Sequence, residues 1–486
     1  MSVKTYEPVI GLEIHVQLNT HSKLFCSCST EAAARRDVAP NTHICPICTG
    51  HPGTLPRPIN RRAVVLGVRL AEATHCYVNP SSDFDRKNYF YADLPKGYQI
   101  TQHSRPLAVD GWVEMSVAGQ TRRISLNHIH LEEDPGKSKI EGGVWLVDMN
   151  RCGMPLAELV TAPDLRSASE AATFVAEFRR IVRYLGVSEG NMEMGNLRCD
   201  ANVSLRPIGS SVLGTKTEIK NLNSFRFLEE AINWEIRRQE QVLQAGRTIR
   251  QVTIHWDENR GEGRLSREKE TEADYRYFRE PNLIPVVIDE TVRLEALTDL
   301  PSLPSERLQR YRDGYGLPEK EASALVEERS VSDYFEQTLA AYAGPPKRVA
   351  DWVRNQALRA LNESEGQYRT LFDLPVSPAY LAELLRLMAS GQISDAMGPQ
   401  VFQKSLETGQ APGAIVAAEG LKPPDEDDLV TAVDQALATD PETVQRFREG
   451  NNKALNRLIG QVMRQTQGRA NAQRVRDLLI ERSGKA

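Results

Sequence analysis

The stretch VIGLEIHVQL (residues 9–18) alternates apolar and other side chains from Ile10 to Leu18. Five aliphatic side chains at every second position from Ile10 share one face, while glycine, glutamate, histidine and glutamine share the other. A period of two residues is typical of a β-strand with one buried face. LRCDANVSLRP (197–207) repeats the alternation, and TKTEIKNLN (215–223) places two lysines and a glutamate on a common side. These stretches predict a sheet with one apolar face and one chemically reactive face.

The composition is that of a globular protein with several domains. The chain has 486 residues, of which 40% are hydrophobic and 26% charged, and its net charge is −5. The length predicts two to four domains of roughly 100–200 residues each. Seven cysteines are too few for a disulfide scaffold. The sequence shows neither a membrane-spanning apolar run nor a basic-then-apolar signal pattern, so we expect a cytoplasmic protein with no membrane partner.

The pattern along the chain changes from mixed to helical. Residues 1 to about 290 combine short strands with helices such as ASEAATFVAEFRRIVRYLG (168–186), and a helical pattern follows from about 295 to 410. The last segment ends in residues 447–486, which contain nine basic and three acidic residues, a net charge of +6. A basic helical face can bind a phosphate backbone or can simply be solvated, and the residues alone leave both interpretations open.

Four cysteines form two close pairs, Cys26-x-Cys28 and Cys45-x-x-Cys48. Four thiolates at this spacing can close a tetrahedral zinc site. The alternative is four unrelated thiols. A complete thiolate shell leaves no open position for a substrate, so the predicted zinc site is structural rather than catalytic.

Acidic side chains recur on the predicted polar strand faces: Glu13 with its neighbour His15, the run HIHLEED (128–134), Glu158 and Asp200. Residues two apart on a strand project from the same face, so Glu13 and His15 can share one ligand. Carboxylates with one imidazole suit magnesium, which prefers hard oxygen ligands. A shared magnesium site and separate, solvated carboxylates both remain open at this point.

The familiar phosphate-binding fingerprints do not fit. DPGKS (134–138) resembles the end of a P-loop, but Leu131 stands where a glycine is required, and the GEG at 261–263 continues with RLS. ATP would therefore need another arrangement. The basic residues on the strand faces can hold phosphates or pair with neighbouring carboxylates, and they are Arg198, Lys216 and Lys220.

Eight motifs stand in order along the chain: VIGLEIHVQL, the CxC…CPIC cluster, FDRKNYFYADLPKGYQI (84–100), HLEEDPGKS (130–138), LVDMNRCGMPLAELV (146–160), LRCDANVSLRP, TKTEIKNLNSFRF (215–227) and DYRYFREPNL (274–283). Together with GNNKALNRLIGQVMRQTQGRAN (450–471), they resemble the B subunit of the tRNA-dependent amidotransferase GatCAB over essentially the whole chain.

The resemblance implies an α+β protein of three parts. A mixed α/β cradle domain with an antiparallel sheet is expected at 1–293, and the expected zinc loop lies within it at 24–50. An all-α helical domain is expected at 294–410, and a small helical tail domain that binds tRNA at 411–486.

The resemblance also implies a reaction. The B subunit uses ATP and Mg²⁺ to phosphorylate the side-chain carboxylate of Glu-tRNA(Gln), Asp-tRNA(Asn) or both. Ammonia, released from glutamine by the A subunit, then displaces the phosphate to give the amide. The expected partners are the A subunit, the small C subunit, the misacylated tRNA and the misacylating synthetase. The sequence itself carries no serine-rich amidase signature and no Cys/His glutaminase arrangement, which fits ammonia supplied by a partner.

Specific residues follow from the resemblance. The expected catalytic set is Glu13, His15, Glu133, Glu158 and Asp200, of which the first four match the family's magnesium ligands. Glu132 can exchange roles with Glu133, because adjacent residues of a strand face opposite sides. The expected contacts to phosphate or to the substrate carboxylate are Lys87, Arg198 and Lys220. The expected tRNA contacts of the tail are Lys453, Arg457, Arg464, Arg469 and Arg474.

Two other functions remain open at this stage. A non-catalytic scaffold would present tRNA to a separate enzyme and would not need the carboxylate set. A free-standing ATP-dependent amide ligase would act on a small carboxylate without tRNA.

Overall fold

The structure is a computed structural model that describes residues 5–34, 37–117, 119–268, 272–421, 424–449, 451–466 and 468–484. It divides into two compact units, Met1–Glu306 and Arg307–Ala486. The first unit combines strands and helices around a large, mainly antiparallel sheet, and the second is helical. The predicted α+β class is therefore confirmed. The predicted domain boundaries near residues 293 and 410 stay predictions. Across the described ranges, no helix is both long and apolar enough to cross a bilayer.

The strands, in chain order, are β1 (Tyr6–Gln17), β2 (Tyr77–Val78), β3 (Ser81–Ser82), β4 (Asp85–Asn88), β5 (Tyr98–Thr101), β6 (Ala108–Val117), β7 (Gln120–Glu133), β8 (Lys137–Glu141), β9 (Val144–Asp148), β10 (Pro155–Thr161), β11 (Leu197–Pro207), β12 (Thr217–Lys220), β13 (Val252–Asp257), β14 (Glu262–Glu268), β15 (Phe278–Arg279) and β16 (Val286–Val287).

The helices are α1 (Thr30–Ala34), α2 (Arg61–Ala73), α3 (Ala168–Tyr184), α4 (Phe225–Gln244), α5 (Glu272–Tyr275), α6 (Glu290–Leu297), α7 (Pro304–Gln309), α8 (Glu319–Leu325), α9 (Arg329–Tyr342), α10 (Pro346–Trp352), α11 (Leu358–Glu363), α12 (Pro378–Ala389), α13 (Gly398–Thr408), α14 (Pro412–Ala418), α15 (Glu426–Thr439), α16 (Pro441–Arg448), α17 (Asn452–Gln465) and α18 (Ala472–Arg482).

The main sheet places β1 near its centre. Among the described residues it contains nine strands in the order β14-β13-β12-β11-β1-β10-β7-β6-β2, and the pairing is antiparallel except between β12 and β13. β1 pairs with β10 on one side and with β11 on the other. These three strands are far apart in the chain, so the sheet brings distant motifs together.

The apolar face of the main sheet packs into the core of the first unit. The aliphatic residues predicted to share one face of the first strand are at most 2% exposed, and they are Ile10, Leu12, Ile14, Val16 and Leu18. Helices α2, α3 and α4 pack against this sheet, α2 on β7, α3 on β6 and α4 on β11. The predicted alternation of β1 is therefore confirmed, and the opposite face is left for polar groups.

Local signals set the ends of the covering helices. The side chain of Ser167 accepts a hydrogen bond from the Glu170 backbone N–H, and Ser224 accepts one from the Phe227 N–H. Such caps satisfy backbone donors that the first helical turn leaves free. Helix α3 ends just before Gly186, whose positive φ of 65° suits a residue without a Cβ atom.

The second unit contains two separate hydrophobic cores among its described residues. The first surrounds Tyr311, Tyr334 and Phe335, and the second surrounds Phe447, Leu458 and Leu479. The helical stripe that the sequence predicts from Val349 to Leu361 is present as α10 and α11. A π-helical turn, Val353–Ala357, joins these two helices.

Candidate active site

The polar face of the main sheet gathers ionisable residues from several strands. Glu13 of β1 lies directly opposite Asp200 of β11. His15 lies opposite Arg198 of β11 on one side and Glu158 of β10 on the other. Directly opposed residues point to the same face of an antiparallel pair. The register thus places these five sequence-predicted residues side by side on one face.

His15, Glu132 and Glu158 form the first acidic group, and their ligand atoms all lie within 4.8 Å of one another. His15 Nε2 is 3.1 Å from Glu158 Oε2 and 3.5 Å from Glu132 Oε1. His130 of β7 approaches from the other side, with its Nε2 3.2 Å from Glu158 Oε2 and 3.6 Å from Glu132 Oε2. Two imidazoles therefore alternate with two carboxylates.

In the first acidic group, the histidines and the carboxylates stabilise each other's charged forms. Burial by itself raises the pKa of a carboxyl group, but His15 and His130 hold the pKa of Glu158 well below its usual range. Burial by itself lowers the pKa of His130, but the charge of Glu158 and hydrogen bonds to Glu132 and Glu158 raise that pKa to about 10. The favoured state is two carboxylates with a protonated His130.

Glu13, Asp200 and Glu218 form the second acidic group, also with their ligand atoms within 4.8 Å of one another. Lys220 Nζ lies 2.5 Å from Asp200 Oδ2 and 3.4 Å from Glu218 Oε1. Asn202 Nδ2 donates to Glu13 Oε1 at 2.8 Å. Burial, followed by the neighbouring carboxylates, raises the pKa of Glu13. The positive charge of Lys220 is therefore shared by three carboxylates. A second cation at this place would favour the ionised form of Glu13.

Glu133, which the sequence analysis placed with His15 and Glu158, is not brought to either acidic group. It forms an ion pair with Lys96, and its Oε1 accepts a hydrogen bond from the Ile100 backbone N–H at 3.1 Å. Side chains alternate along β7, so Glu132 and Glu133 point to opposite faces. Only Glu132 shares the face of His15 and Glu158.

Two of the predicted cationic contacts, Arg198 and Lys87, lie in different surroundings. Arg198 Nη2 donates to Asp134 Oδ2 at 2.8 Å, while its Nε is buried and lacks a hydrogen-bond partner among the described residues. Lys87 Nζ lies 4.8 Å from the centre of the Tyr275 ring. Burial by itself lowers the pKa of Lys87, but the phenol of Tyr277 and the carboxylates of the first acidic group raise it above its usual range. Both cations thus remain charged beside the carboxylates.

The donor chemistry of both acidic groups fits magnesium. Each group offers carboxylate oxygens, and the first adds one imidazole nitrogen. Asn202 Oδ1, next to Glu13, is buried and has no hydrogen-bond partner in the described ranges, so a hydrated cation at this place would satisfy it. A divalent ion would also relieve the repulsion that raises the pKa of Glu13.

A separate cluster of four cysteine side chains lies in the loop after β1. The Sγ atoms of Cys26, Cys28, Cys45 and Cys48 lie within 4.8 Å of one another, an arrangement that is consistent with a structural metal ion. A hydrogen bond from Cys26 is the largest of the influences that lower the pKa of Cys48 to about 4. The Cys45 backbone N–H also donates to Cys48 Sγ at 3.2 Å. The loop predicted at 24–50 includes residues 35 and 36, which lie outside the described residues.

Lys23 lies beside the four-cysteine cluster and is completely buried. Its Nζ donates to the His43 carbonyl at 2.9 Å and lies 3.6 Å from Cys48 Sγ. Within the described ranges, no carboxylate lies at ion-pair distance from this ammonium group. A buried charge normally requires an opposite charge, and metal-bound thiolates would supply it.

The comparisons with known proteins show the family of the chain. A family model described as the GatB/GatE catalytic domain matches residues 8–293, and a second, described as a GatB domain, matches residues 333–482. The chain is similar to proteins named as the B subunit of aspartyl/glutamyl-tRNA(Asn/Gln) amidotransferase. Identity is 45% to that of Thermodesulfovibrio yellowstonii, with 98% of this chain and 99% of the relative covered. It is 46% to that of Moorella thermoacetica, with the same coverage. The chain belongs to the GatB family.

The tail of this GatB family member presents all five of its predicted tRNA contacts at the surface. Arg457 pairs with Asp440 at 3.1 Å, and Arg474 pairs with Glu426. The other three predicted contacts have no carboxylate partner among the described residues, and they are Lys453, Arg464 and Arg469. Lys485, which contributes to the basic segment, lies outside the described residues.

Besides Glu132, two residues of this polar face were not in the catalytic set expected for this GatB chain: Glu218 of the second acidic group, and His130, which contacts the first. Glu218 was seen in the sequence only as a partner for lysines, although its place two residues before Lys220 indicated a common face. His130 stands two residues before Glu132, so the period of β7 places it on the same face. In both cases the alternation along the strand indicated the face to which the side chain points. The register between strands then showed which residues it meets.

Proposed function

We propose that this chain activates the side-chain carboxylate of glutamate or aspartate esterified to tRNA, with ATP as the phosphoryl donor, and then converts it to an amide. The observation that carries the proposal is the pair of acidic groups on one sheet face, with Lys220 and Arg198 beside them. The substrate class is taken from the names of the relatives, which are amidotransferase subunits for tRNA(Asn) and tRNA(Gln).

Amide formation from a carboxylate needs activation, because a carboxylate oxygen is a poor leaving group. In the first step an oxygen of the substrate carboxylate attacks the γ-phosphorus of ATP, the bond to the β,γ-bridging oxygen breaks, and ADP leaves. In the second step ammonia attacks the carbonyl carbon and the bond from that carbon to the phosphate oxygen breaks. A proton passes from the ammonia nitrogen to the departing phosphate.

The two acidic groups are the proposed holders of magnesium. When bound, magnesium supplies positive charge to the phosphate oxygens. His15, Glu132 and Glu158 provide the first set of ligands, and His130 holds both carboxylates of that set in place through its contacts with them. The second acidic group provides the other set. Glu133 has no proposed place in either set, because it faces Lys96.

The cations reduce the repulsion between two approaching anions, the substrate carboxylate and the γ-phosphate. Lys220 stands between Asp200 and Glu218, beside the second acidic group. Arg198 is directed by Asp134 and retains Nε as a donor. Lys87 faces the first acidic group. Preorganised positive charge of this kind stabilises a phosphoryl-transfer transition state without further rearrangement.

Partners complete the proposed reaction. Glutamine is the proposed amido donor, and an A subunit releases its ammonia, while a small C subunit holds the pair together. The misacylated tRNA binds through the exposed basic residues of the tail, and the misacylating synthetase is a further proposed partner. Zinc at the four cysteines stabilises the loop beside the first strand, because a complete thiolate shell serves structure rather than chemistry.

The test measures ATP cleavage by the complete complex with Glu-tRNA(Gln), Asp-tRNA(Asn) or uncharged tRNA. We expect stimulation by at least one misacylated tRNA and none by uncharged tRNA. Glu158→Gln and Asp200→Asn should abolish the stimulation and leave tRNA binding unchanged. Glu114→Gln is the matched control, since Glu114 lies on β6 of the same sheet in an exposed pair with Arg123. If both site variants cleave ATP and form amide as fast as the unmodified chain, the protein is a tRNA-binding scaffold.

A further inference from the structure

A small sheet joins two sequence motifs whose role the proposed function does not explain. Strand β4 comes from FDRKNYFYADLPKGYQI and β15 from DYRYFREPNL, and they pair in the order β15-β4-β5. One side-chain link between the two motifs is a fork of two hydrogen bonds between Arg86 and Glu280, which are 194 positions apart. Arg86 Nε lies 2.5 Å from Glu280 Oε2, and Arg86 Nη2 lies 3.0 Å from Glu280 Oε1.

One face of this small sheet is directed at the first acidic group. Thr101 of β5 places its Oγ1 3.3 Å from Glu132 Oε2. Gln99, two residues earlier, donates to the Glu133 carbonyl at 2.8 Å. Lys87 of β4 is paired with Gln99, so it shares that face. The small sheet therefore holds Lys87 on the side that faces the first acidic group, whose carboxylates help to raise the pKa of Lys87.

Arg86 points to the opposite face, because it is adjacent to Lys87 on the same strand. Its guanidinium lies 4.1 Å from the centre of the Tyr98 ring and 5.5 Å from that of Phe278. Both rings belong to neighbouring strands. The pair with Glu280 and the two aromatic contacts hold the back of β4 against the strands on either side of it.

Glu280 is itself fixed from several directions. It has no exposed surface, and its Oε1 accepts hydrogen bonds from the Asn282 backbone N–H at 3.0 Å and from Asn282 Nδ2 at 2.8 Å. Burial by itself raises the pKa of Glu280, but hydrogen bonds from Arg86 and Asn282 lower it below the usual range. The carboxylate is thus charged and oriented before any substrate arrives.

We propose that Glu280, acting through Arg86, positions Lys87 toward the first acidic group. Glu280 is a positioning residue in this account and touches no reacting atom. A strand held rigidly from behind keeps the ammonium group of Lys87 where charge develops during phosphoryl transfer, and preorganisation of this kind favours the transition state over the ground state. The inference rests on the proposed function, which makes Lys87 one of the cations that neutralise the approaching anions.

A double-mutant cycle in the complete complex tests the proposal. Lys87→Met, Glu280→Gln and the double variant are compared for kcat and KM of tRNA-stimulated ATP cleavage. We expect Lys87→Met to lower kcat by about a hundredfold and Glu280→Gln by about tenfold, both with little change in the KM for tRNA. In the Lys87→Met background, Glu280→Gln should cost no more than about a further twofold, because its effect passes through Lys87. A general structural defect would instead lower kcat by the same factor in both backgrounds.

Further variants guard against misfolding. Arg86→Lys keeps the charge and loses the fork, and it should lower kcat only when Lys87 is present. Asp83→Asn is the matched control, since Asp83, the residue just before the first motif, accepts a hydrogen bond from Arg279 of the second at 2.9 Å. It should leave kcat within about twofold. If Glu280→Gln fails to fold, the same double-mutant cycle is carried out with Arg86→Lys in its place.

The outcomes separate the two proposals. If Lys87→Met leaves ATP cleavage unchanged, the role of Lys87 in the proposed function is wrong and the inference is wrong with it. If Lys87→Met lowers kcat but the losses from Glu280→Gln or Arg86→Lys multiply with it, only the positioning role of Glu280 is overturned.

Discussion

His15 and Glu158 face each other across the β1–β10 pair, with His15 Nε2 3.1 Å from Glu158 Oε2. The two residues are 143 positions apart in the chain and meet only because β1 lies beside β10 in the main sheet. Glu132 completes this group from the next strand, and its neighbour Glu133 does not. The choice between these adjacent glutamates is therefore a sharp test of the site.

Glu132→Gln should lower tRNA-stimulated ATP cleavage by about 10- to 100-fold, and Glu133→Gln should leave it within about threefold. Glu132 shares the face of His15 and Glu158, whereas Glu133 faces Lys96. Loss of a metal ligand or of its immediate support typically costs about 10- to 100-fold in affinity or activity. Steady-state ATP cleavage by the complete complex measures both variants, and the opposite ranking would contradict the assignment.

Glu218→Gln should raise the magnesium concentration needed for half-maximal ATP cleavage by about tenfold. Glu218 supplies one of the three carboxylates of the second acidic group, and Lys220 remains to hold Asp200. A magnesium titration gives the value directly. Glu262→Gln is the control, because Glu262 is an exposed carboxylate at the start of β14 in the same sheet. Equal magnesium requirements for Glu218→Gln and the unmodified chain would remove this group from metal binding.

Lys23→Met should weaken retention of zinc without removing it. Lys23 is buried with its Nζ 3.6 Å from Cys48 Sγ, and a positive charge there would stabilise zinc-bound thiolates, so its loss should speed transfer of zinc to a chelator by about tenfold. Cys45→Ser should abolish stoichiometric zinc binding. Zinc content by atomic absorption and the release rate to a coloured chelator check both statements. Lys139→Met, at an exposed lysine on β8, serves as the control. Identical release rates for Lys23→Met and Lys139→Met would show that Lys23 does not support the metal.

Replacing Lys453, Arg464 and Arg469 together by alanine should weaken tRNA binding and flatten its dependence on salt. These three exposed cations have no carboxylate partner among the described residues. Each lost phosphate contact removes about 0.7–0.9 from the slope of log affinity against log salt concentration. Arg446→Ala is the control, because Arg446 already pairs with Glu442 at 2.6 Å. Unchanged affinity and slope across a salt series would exclude these residues from the tRNA surface.

Much of the sheet could be predicted from local alternation. The period of two in residues 9–18 predicts both the buried face of β1 and the projection of Glu13 and His15 from the other face. The sequence could not choose between Glu132 and Glu133, because that choice depends on the register of β7 against β10. That pairing contains an irregularity between Val160 and Thr161.

Long-range pairing also explains what local patterns missed in the second acidic group. Glu218 joins it only because β12 lies beside β11, and the two strands are separated by a loop rich in glycine and serine. The ion pair of Arg86 with Glu280 was equally inaccessible, since no local period relates residues 194 positions apart. Composition and spacing identify such side chains, and only the fold shows which of them meet.

The most direct measurement of the central claim follows oxygen from the substrate carboxylate. Glu-tRNA(Gln) or Asp-tRNA(Asn) is prepared with ¹⁸O in the side-chain carboxylate and converted by the complete complex with ATP and glutamine, and the inorganic phosphate is analysed by mass spectrometry. If the carboxylate is activated by phosphorylation, each amide formed is accompanied by one phosphate that carries one ¹⁸O atom. The label enters the phosphate because the bond from carbon to that oxygen breaks when ammonia attacks. Phosphate without ¹⁸O, formed alongside amide, would contradict the account.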